Sequence, residues 1–315
     1  MSEFQNKKVL ITGGFGFIGS HLVKRLLKEG AEVHIIERAN TNRYRLLDDI
    51  DKIKTYEMDI CDPLTTGSVI MKVNPDYAFH LASYGVDSTH KDYEKAASTN
   101  VLGSVNIMKA LCETDCRKII NIGTCSEYGN SETSEDSIPA PVNIYGSTKA
   151  AATIILHQIA KENKIDIVTL RPFGVFGEGE ASHKIFSYVI QNILSGNDVP
   201  LTQCEQYRDY CHVENIVDAM LLACEKSLVT NEIYNVASGE SHPLYYYIDL
   251  IFELAGSKNK PLYGHIPYRN TELWNPKTDI GKIKSMLGWE VKLSLKEGIL
   301  QTIEWYKSNI SKFEL

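Results

Sequence analysis

Up to about residue 172 the apolar positions of the chain keep two alternating rhythms. Short runs rich in Val and Ile are apolar on both faces: KKVLIT (7–12), AEVHIIE (31–37), IKTYEMD (53–59), DYAFHLA (76–82), RKIINIG (117–123) and DIVTLRP (166–172). Between them, notably over 18–29, 92–114 and 145–163, apolar residues return with the period of a helix. A strand apolar on both faces must be covered on both, so this alternation predicts a parallel sheet with helices on either side. The predicted fold class is α/β, a Rossmann-like doubly wound parallel sheet with a smaller C-terminal substrate-binding lobe.

Beyond Pro172 the alternation breaks down, and Pro, Gly, Tyr and Asn become frequent. The helical pattern VENIVDAMLLACEK (213–226) and the strand-like EIYNVAS (232–238) predict a return to the sheet. The expected division is a dinucleotide-binding domain of 1–172 plus about 210–239, and a lobe of about 173–209 plus 240–315. Ligands of open α/β sheets bind outside the carboxyl ends of the strands, so the site is expected in a cleft between the two.

The first strand runs into GGFGFIG, in which Gly13, Gly16 and Gly19 are spaced GxxGxxG and Gly14, Gly16 and Gly19 also fit GxGxxG. A strand, a glycine turn and a helix in this order form a seat for a pyrophosphate at the helix N-terminus. Glu37 ends the second strand, where an acid accepts the hydroxyls of an adenosine ribose. A carboxylate repels a 2′-phosphate, so NAD is favoured; the neighbouring Arg38 keeps NADP as the lesser alternative.

Composition narrows the partners. The 315 residues carry a formal charge of −7, which argues against a nucleic-acid or anionic-membrane surface. There is no run of 18 apolar residues and no signal-like N-terminus, so a cytoplasmic protein is expected. Seven dispersed cysteines predict reduced thiols; Cys112 and Cys116, four apart on a helix, read as core residues rather than metal ligands, and no metal is expected.

YGSTK places Tyr145 and Lys149 one turn apart on a helix face. A phenol is a poor base at neutral pH, and a nearby ammonium together with a cationic nicotinamide ring is expected to lower its pKa. Thr124, after the fifth strand, is placed to give a second hydrogen bond to the same substrate oxygen.

The glycine turn with HLAS (80–83), Asn100 in STNVLGS, Thr124 and YGSTK together resemble the extended short-chain dehydrogenase/reductase family, the nucleotide-sugar epimerases, dehydratases and reductases. YRDYCHVENIVDAM (207–220), YNVASGE (234–240) and LGWEVKLSLKEGILQTIEWY (287–306) extend the likeness over almost the whole chain. The resemblance implies NAD(H) or NADP(H), a nucleoside-diphosphate-sugar substrate and hydride transfer at a sugar carbon, commonly C4. It also implies that Gly13, Gly16, Phe17, Ile18 and Gly19 hold the phosphates, and that Asp59 and Ile60 lie on the adenine side. Leu81, Ala82, Ser83, Asn100, Pro172, Tyr145 and Lys149 line the rest of the cofactor. Thr124, Tyr145 and Lys149 match the proton-transfer group; Ser126, Arg208 and Arg269 match substrate contacts, the two arginines on the diphosphate. The helix 92–114 and the Tyr145 helix resemble those forming a four-helix homodimer interface, with Val101, Val105, Ile107, Met108 and Leu111 compatible with either interface or core.

In 4,6-dehydratases of this family the Thr is followed by Asp-Glu. Here Cys125 and Ser126 stand in those places, and neither a thiol nor a hydroxyl can protonate a leaving hydroxide as a carboxylic acid does. Glu127 falls one position late, and on a continuing strand its side chain would point the other way. Gly174 replaces a frequent Asn that touches substrate in relatives. The expected activity is an NAD(P)-dependent oxidoreductase at C4, either a 4-keto-sugar reductase or a 4-dehydrogenase. The alternatives are a 4-epimerase that recycles its hydride internally and, last, a non-catalytic dinucleotide-binding sensor or scaffold.

Overall fold

The structure is a computed structural model, and it describes residues 2–86, 91–129, 133–226, 230–268, 272, 274 and 278–309. In chain order its first unit contains β1 (Lys8–Thr12), α1 (Phe17–Lys28), β2 (Glu32–Glu37), β3 (Lys54–Glu57), α2 (Pro63–Val73), β4 (Tyr77–His80), α3 (Tyr93–Ala97), α4 (Ser104–Cys112), β5 (Lys118–Ile122), α5 (Ile144–Asn163) and β6 (Asp166–Pro172). There follow β7 (Gly174–Phe176), α6 (Ile185–Leu194), β8 (Tyr207–His212), α7 (Val213–Glu225), β9 (Glu232–Val236), β10 (Ser241–Pro243), α8 (Leu244–Ala255), α9 (Gly281–Leu287) and α10 (Leu295–Asn309).

Seven strands form one parallel sheet in the order β3-β2-β1-β4-β5-β6-β9, flanked by helices. The order reverses between β1 and β4, and such a switch point is where an open α/β sheet leaves room for a ligand. On one face of the sheet Leu10, Ile36, Ala78, Ile119 and Ile167 from the strands pack with Ile70, Val73, Ile107, Met108, Leu111 and Leu156 from α2, α4 and α5. Cys116 is buried in the same cluster, which settles it as a core residue.

Two compact units divide the chain: residues 1–172, 217–236 and 281–289 make the first, and 173–216, 237–280 and 290–315 the second. The stretch 281–289 belongs with the sheet because α9 packs on β9 and buries Ile283, Leu287 and Trp289. In the second unit β10, β8 and β7 form a small sheet, and Phe176, Phe186, Tyr247, Ile251, Ile299 and Ile303 build a separate core.

The predicted helix over 92–114 differs in detail. It is α3, a wider π-type turn over Ser98–Gly103, and α4 in continuous succession. Gly103 lies in that turn because a Cβ there would come within 2.7 Å of the Ile60 side chain. The helix α2 is absent from the apolar pattern because Thr65, Thr66 and Gly67 blur its period; Pro63 in its first turn and the Asp62 carboxylate accepting the Leu64 N–H start it instead.

Candidate active site

At the exit of β1 the chain turns at Gly13, whose φ of +73° and close neighbours, Leu81 C and Ala82 N at 2.9 Å from where a Cβ would stand, admit no side chain. A Cβ on Gly19 would lie 2.2 Å from the Gly13 carbonyl, so α1 can start directly above the turn only with glycine there. Gly16 caps α1 without a side-chain hydrogen bond, and Phe17 and Ile18, half-buried, form its first turn. An amide-lined helix start with no side chain of its own over it fits a pyrophosphate. The exit of β4 is tied to the same place: the Leu81 N–H donates to the Thr12 carbonyl at 3.1 Å and the Ala82 N–H to Thr12 Oγ1 at 3.1 Å.

Beyond β2 a cavity of about 260 Å³ is lined by Arg38, Ala39, Glu57, Met58 and Asp59. Glu37 is buried beside it, and Arg43 grips both its carboxylate oxygens, Nε at 2.8 Å and Nη2 at 2.5 Å. Asp59 is exposed, its Oδ1 accepting the Cys61 N–H at 2.9 Å. Ile60 has its side chain in the core under Gly103, and its carbonyl accepts from Asn106 Nδ2 at 3.0 Å.

The residues expected to transfer the proton come together at the exits of β4 and β5. Thr124 caps a tight turn, Cys125–Glu127, in which its Oγ1 accepts the Ser126 N–H at 3.2 Å and Glu127 Oε1 accepts the Thr124 N–H at 2.9 Å. Asn143 Oδ1 accepts the Gly146 N–H at 2.8 Å and starts α5. Gly146 lets that helix start against the turn, since a Cβ there would stand 2.3 Å from the Ser126 carbonyl oxygen. The Tyr145 phenol is thereby brought near the side chains of Thr124 and Ser83, both of which act to lower its pKa.

Burial is the largest influence on both partners of the Tyr–Lys pair. It raises the Tyr145 phenol well above its ordinary value, helped by Cys125 and Glu127 and opposed by the bonds to Thr124 and Ser83. Lys149, 2% exposed, is pushed down to about 8, with Glu127 working the other way. The expected lowering of the phenol by Lys149 is therefore outweighed in the protein alone, because both groups are desolvated together.

The other expected site residues are spread over both units. Asn100, 1% exposed, donates to the Tyr84 carbonyl at 2.8 Å and Thr148 Oγ1 at 2.9 Å, and accepts the Tyr84 N–H at 2.7 Å. It thereby joins the 81–85 segment to α5. Pro172 is buried at the end of β6 opposite Val236, and Ser126 is half-buried in the turn. Arg208 lies on β8 of the second unit, where it pairs with Glu272 and donates Nη1 to the Tyr207 carbonyl at 2.6 Å. Arg269 falls outside the described residues.

The Glu127 side chain turns inward, and strand alternation is not the cause. β5 has ended at Ile122, and the Cys125–Glu127 turn carries the carboxylate inward onto Arg171 Nε at 2.9 Å. Neither Arg171 nor Arg43 stands out in the sequence: Arg171 lies inside β6, Arg43 in the loop after β2, and arginine in such places is commonplace.

Among the described residues no group of three or more His, Cys, Asp or Glu is placed to hold a metal ion, and no helix is long and apolar enough to cross a membrane.

The chain is 28% identical to a UDP-glucose 4-epimerase of Lactobacillus helveticus over 98% of this chain and 99% of the relative. Its fold matches the crystal structure of a UDP-glucose 4-epimerase with UDP-glucose from Thermotoga maritima with a TM-score of 0.88 and 28% identity, covering 96% of this chain and 99% of that one. A UDP-glucose 4-epimerase of Thermus thermophilus in complex with NAD matches with a TM-score of 0.85 and 26% identity, over 95% and 99%. The pattern of the NAD dependent epimerase/dehydratase family matches residues 9–237, around the glycine turn and the Thr–Tyr–Lys group, and the chain belongs to that family.

Proposed function

We propose that the chain binds NAD over the sheet switch point and exchanges a hydride at C4 of a nucleoside-diphosphate sugar, with Tyr145 taking and returning the proton of the C4 oxygen. One observation carries the reading: the Tyr145 hydroxyl meets Thr124 and Ser83 while Lys149 is buried one turn away on the same helix face. The α1 start at Gly13, Gly16 and Gly19 would hold the pyrophosphate and Glu37 the adenosine ribose. NAD, when bound, accepts the C4 hydride and brings positive charge beside the phenol. Thr124 orients the substrate oxygen, Ser83 shares its proton, and Lys149 supplies the ammonium that favours the phenolate.

Similarity to 4-epimerases supports internal recycling of the hydride ahead of net oxidation or reduction. Gly174 supports the second reading. A Cβ there would lie 2.6 Å from the Asp209 carbonyl oxygen, so the Asn that touches substrate in relatives cannot stand here without moving β8, and the sugar contacts must differ. Dehydration is disfavoured, since Cys125 and Ser126 are no acids and Glu127 is fully buried on Arg171.

The test is incubation of the purified protein with NAD and a panel of UDP-, dTDP-, CDP- and GDP-sugars, followed by product analysis and absorbance at the NADH band. An epimerised sugar without net NADH supports the first reading, and stoichiometric NADH change the second. Turnover undiminished in Tyr145→Phe overturns both.

A homodimer through α4 and α5 completes the proposal. Ile107, Met108 and Leu111 are core, whereas Leu102 and Ile154 are exposed and Val101 and Val105 half-exposed, so these four are the residues an interface would cover.

A further inference from the structure

Glu127 is fully buried and bound on both oxygens. Its Oε1 accepts the Thr124 N–H at 2.9 Å and lies 3.4 Å from Thr153 Oγ1, and its Oε2 accepts from Arg171 Nε at 2.9 Å. Arg171, 2% exposed, donates Nη1 to the Tyr128 hydroxyl at 2.9 Å and stacks over that ring at 4.6 Å. Tyr128 donates to Asn235 Oδ1 at 2.7 Å, and Asn235 Nδ2 to the Thr133 carbonyl at 2.6 Å. A bonded network thus runs from the exit of β5 through β6 to β9. A buried ion pair is seldom retained for stability, because an apolar pair of the same shape does as well.

Its position suggests another reason. Tyr145, Lys149 and Thr153 follow one another at four-residue steps along one face of α5, and Glu127 meets that face at Thr153. The groups that act on Lys149 or on its partner phenol are Glu127 and Cys125 from the turn, Thr124 and Ser83 through hydrogen bonding to the phenol, and His80 from β4, which burial keeps neutral by pushing it down to about 3. Among them Glu127 is the group whose charge favours the Lys149 ammonium.

We propose that Glu127 is a positioning residue of the proton-transfer site: clamped by Arg171, it fixes Thr124 by its backbone N–H and stands as the buried counter-charge to Lys149. This rests on the reading of Tyr145 and Lys149 as the proton-transfer pair. Arg171 makes the arrangement durable by holding the Glu127 carboxylate in place at 2.9 Å. Tyr128 and Asn235 in turn hold Arg171, which gives the conspicuous Tyr128 a supporting place rather than a chemical one.

The test follows the charge of Lys149 directly, without turnover. Protein carrying a carbon-13 label at lysine Cε is titrated by NMR through neutral and alkaline pH, the Lys149 signal being the one missing in Lys149→Arg. The wild-type midpoint is expected near 8. Glu127→Gln keeps the size and the acceptor for Thr124 but leaves Arg171 uncompensated, and its midpoint is expected to fall by about one unit or more. Adding Arg171→Gln removes the excess positive charge and should return part of the shift. A folded Glu127→Gln protein whose midpoint stays at the wild-type value overturns the proposal, as does a double variant displaced as far as the single. Should Glu127→Gln alone fail to fold, the double variant decides, and a midpoint unchanged from wild type overturns the proposal. Failure of the underlying functional reading shows elsewhere, as turnover surviving in Tyr145→Phe with this titration intact.

Discussion

Arg43 holds both carboxylate oxygens of Glu37, with Nε at 2.8 Å and Nη2 at 2.5 Å, and its guanidinium stands 5.7 Å from the centre of the Phe15 ring. The acid proposed to bind the ribose is thereby oriented, and part of its charge is neutralised, before a dinucleotide arrives. A fixed carboxylate needs no reorganisation to accept ribose hydroxyls, and its residual charge sets the tolerance for a 2′-phosphate.

Glu37→Ala should therefore act in opposite directions on the two dinucleotides. A hydrogen bond to a charged acceptor is worth about 1.5–3 kcal/mol, so NAD affinity should fall roughly ten- to a hundredfold. Arg43, released, is expected to improve NADP binding. Isothermal titration of both dinucleotides measures this, and equal losses for the two would contradict it.

Burial pushes Lys149 down to about 8, well below an ordinary lysine. Its ammonium is present below that pH and lost above it, so turnover at low dinucleotide saturation should decline as pH rises through about 8, and a pH profile of kcat/KM tests this.

The same shift bears on stability. A lysine whose folded-state pKa lies below its unfolded value carries a burial cost that is complete below pH 8 and fades as pH rises from there toward the unfolded value. Lys149→Met should abolish activity yet raise the thermal midpoint at pH 7 by a few degrees, with less gain at alkaline pH. Calorimetry at two pH values checks both signs.

Gly146→Ala tests the contact on which the catalytic geometry depends. Its Cβ would stand 2.3 Å from the Ser126 carbonyl oxygen, so α5 or the Cys125–Glu127 turn must shift and Tyr145 must part from Thr124. Turnover is expected to drop by roughly a hundredfold, the scale of a misplacement of about 1 Å, while NAD affinity changes little. Loss of both in equal measure would point to general unfolding instead.

Leu102→Glu combined with Ile154→Glu puts carboxylates where the π-type turn leading into α4 and the helix α5 leave apolar side chains 50% and 59% exposed. If those helices pair across a twofold axis, the variant should run as a monomer in light scattering where the wild type runs as a dimer. A variant that keeps the wild-type mass rules out that interface.

The sequence by itself determined the doubly wound sheet, because strands buried on both faces and helices buried on one leave different apolar periods. It also determined the glycine turn and the Thr124, Tyr145, Lys149 group, since a tight turn needs specific glycines and a helix places residues four apart on one face. Only the tertiary structure decided where charges meet. Arg43 and Glu37 lie six apart across a loop with no fixed period, and Arg171 and Glu127 are separated by 44 residues and meet because β5 and β6 are neighbours in the sheet. The inward turn of Glu127 likewise depends on β5 ending at Ile122, where a local hydrogen bond from the Thr124 N–H replaces the strand's alternation. Pairings of this kind belong to the register of distant segments, which apolar periodicity does not encode.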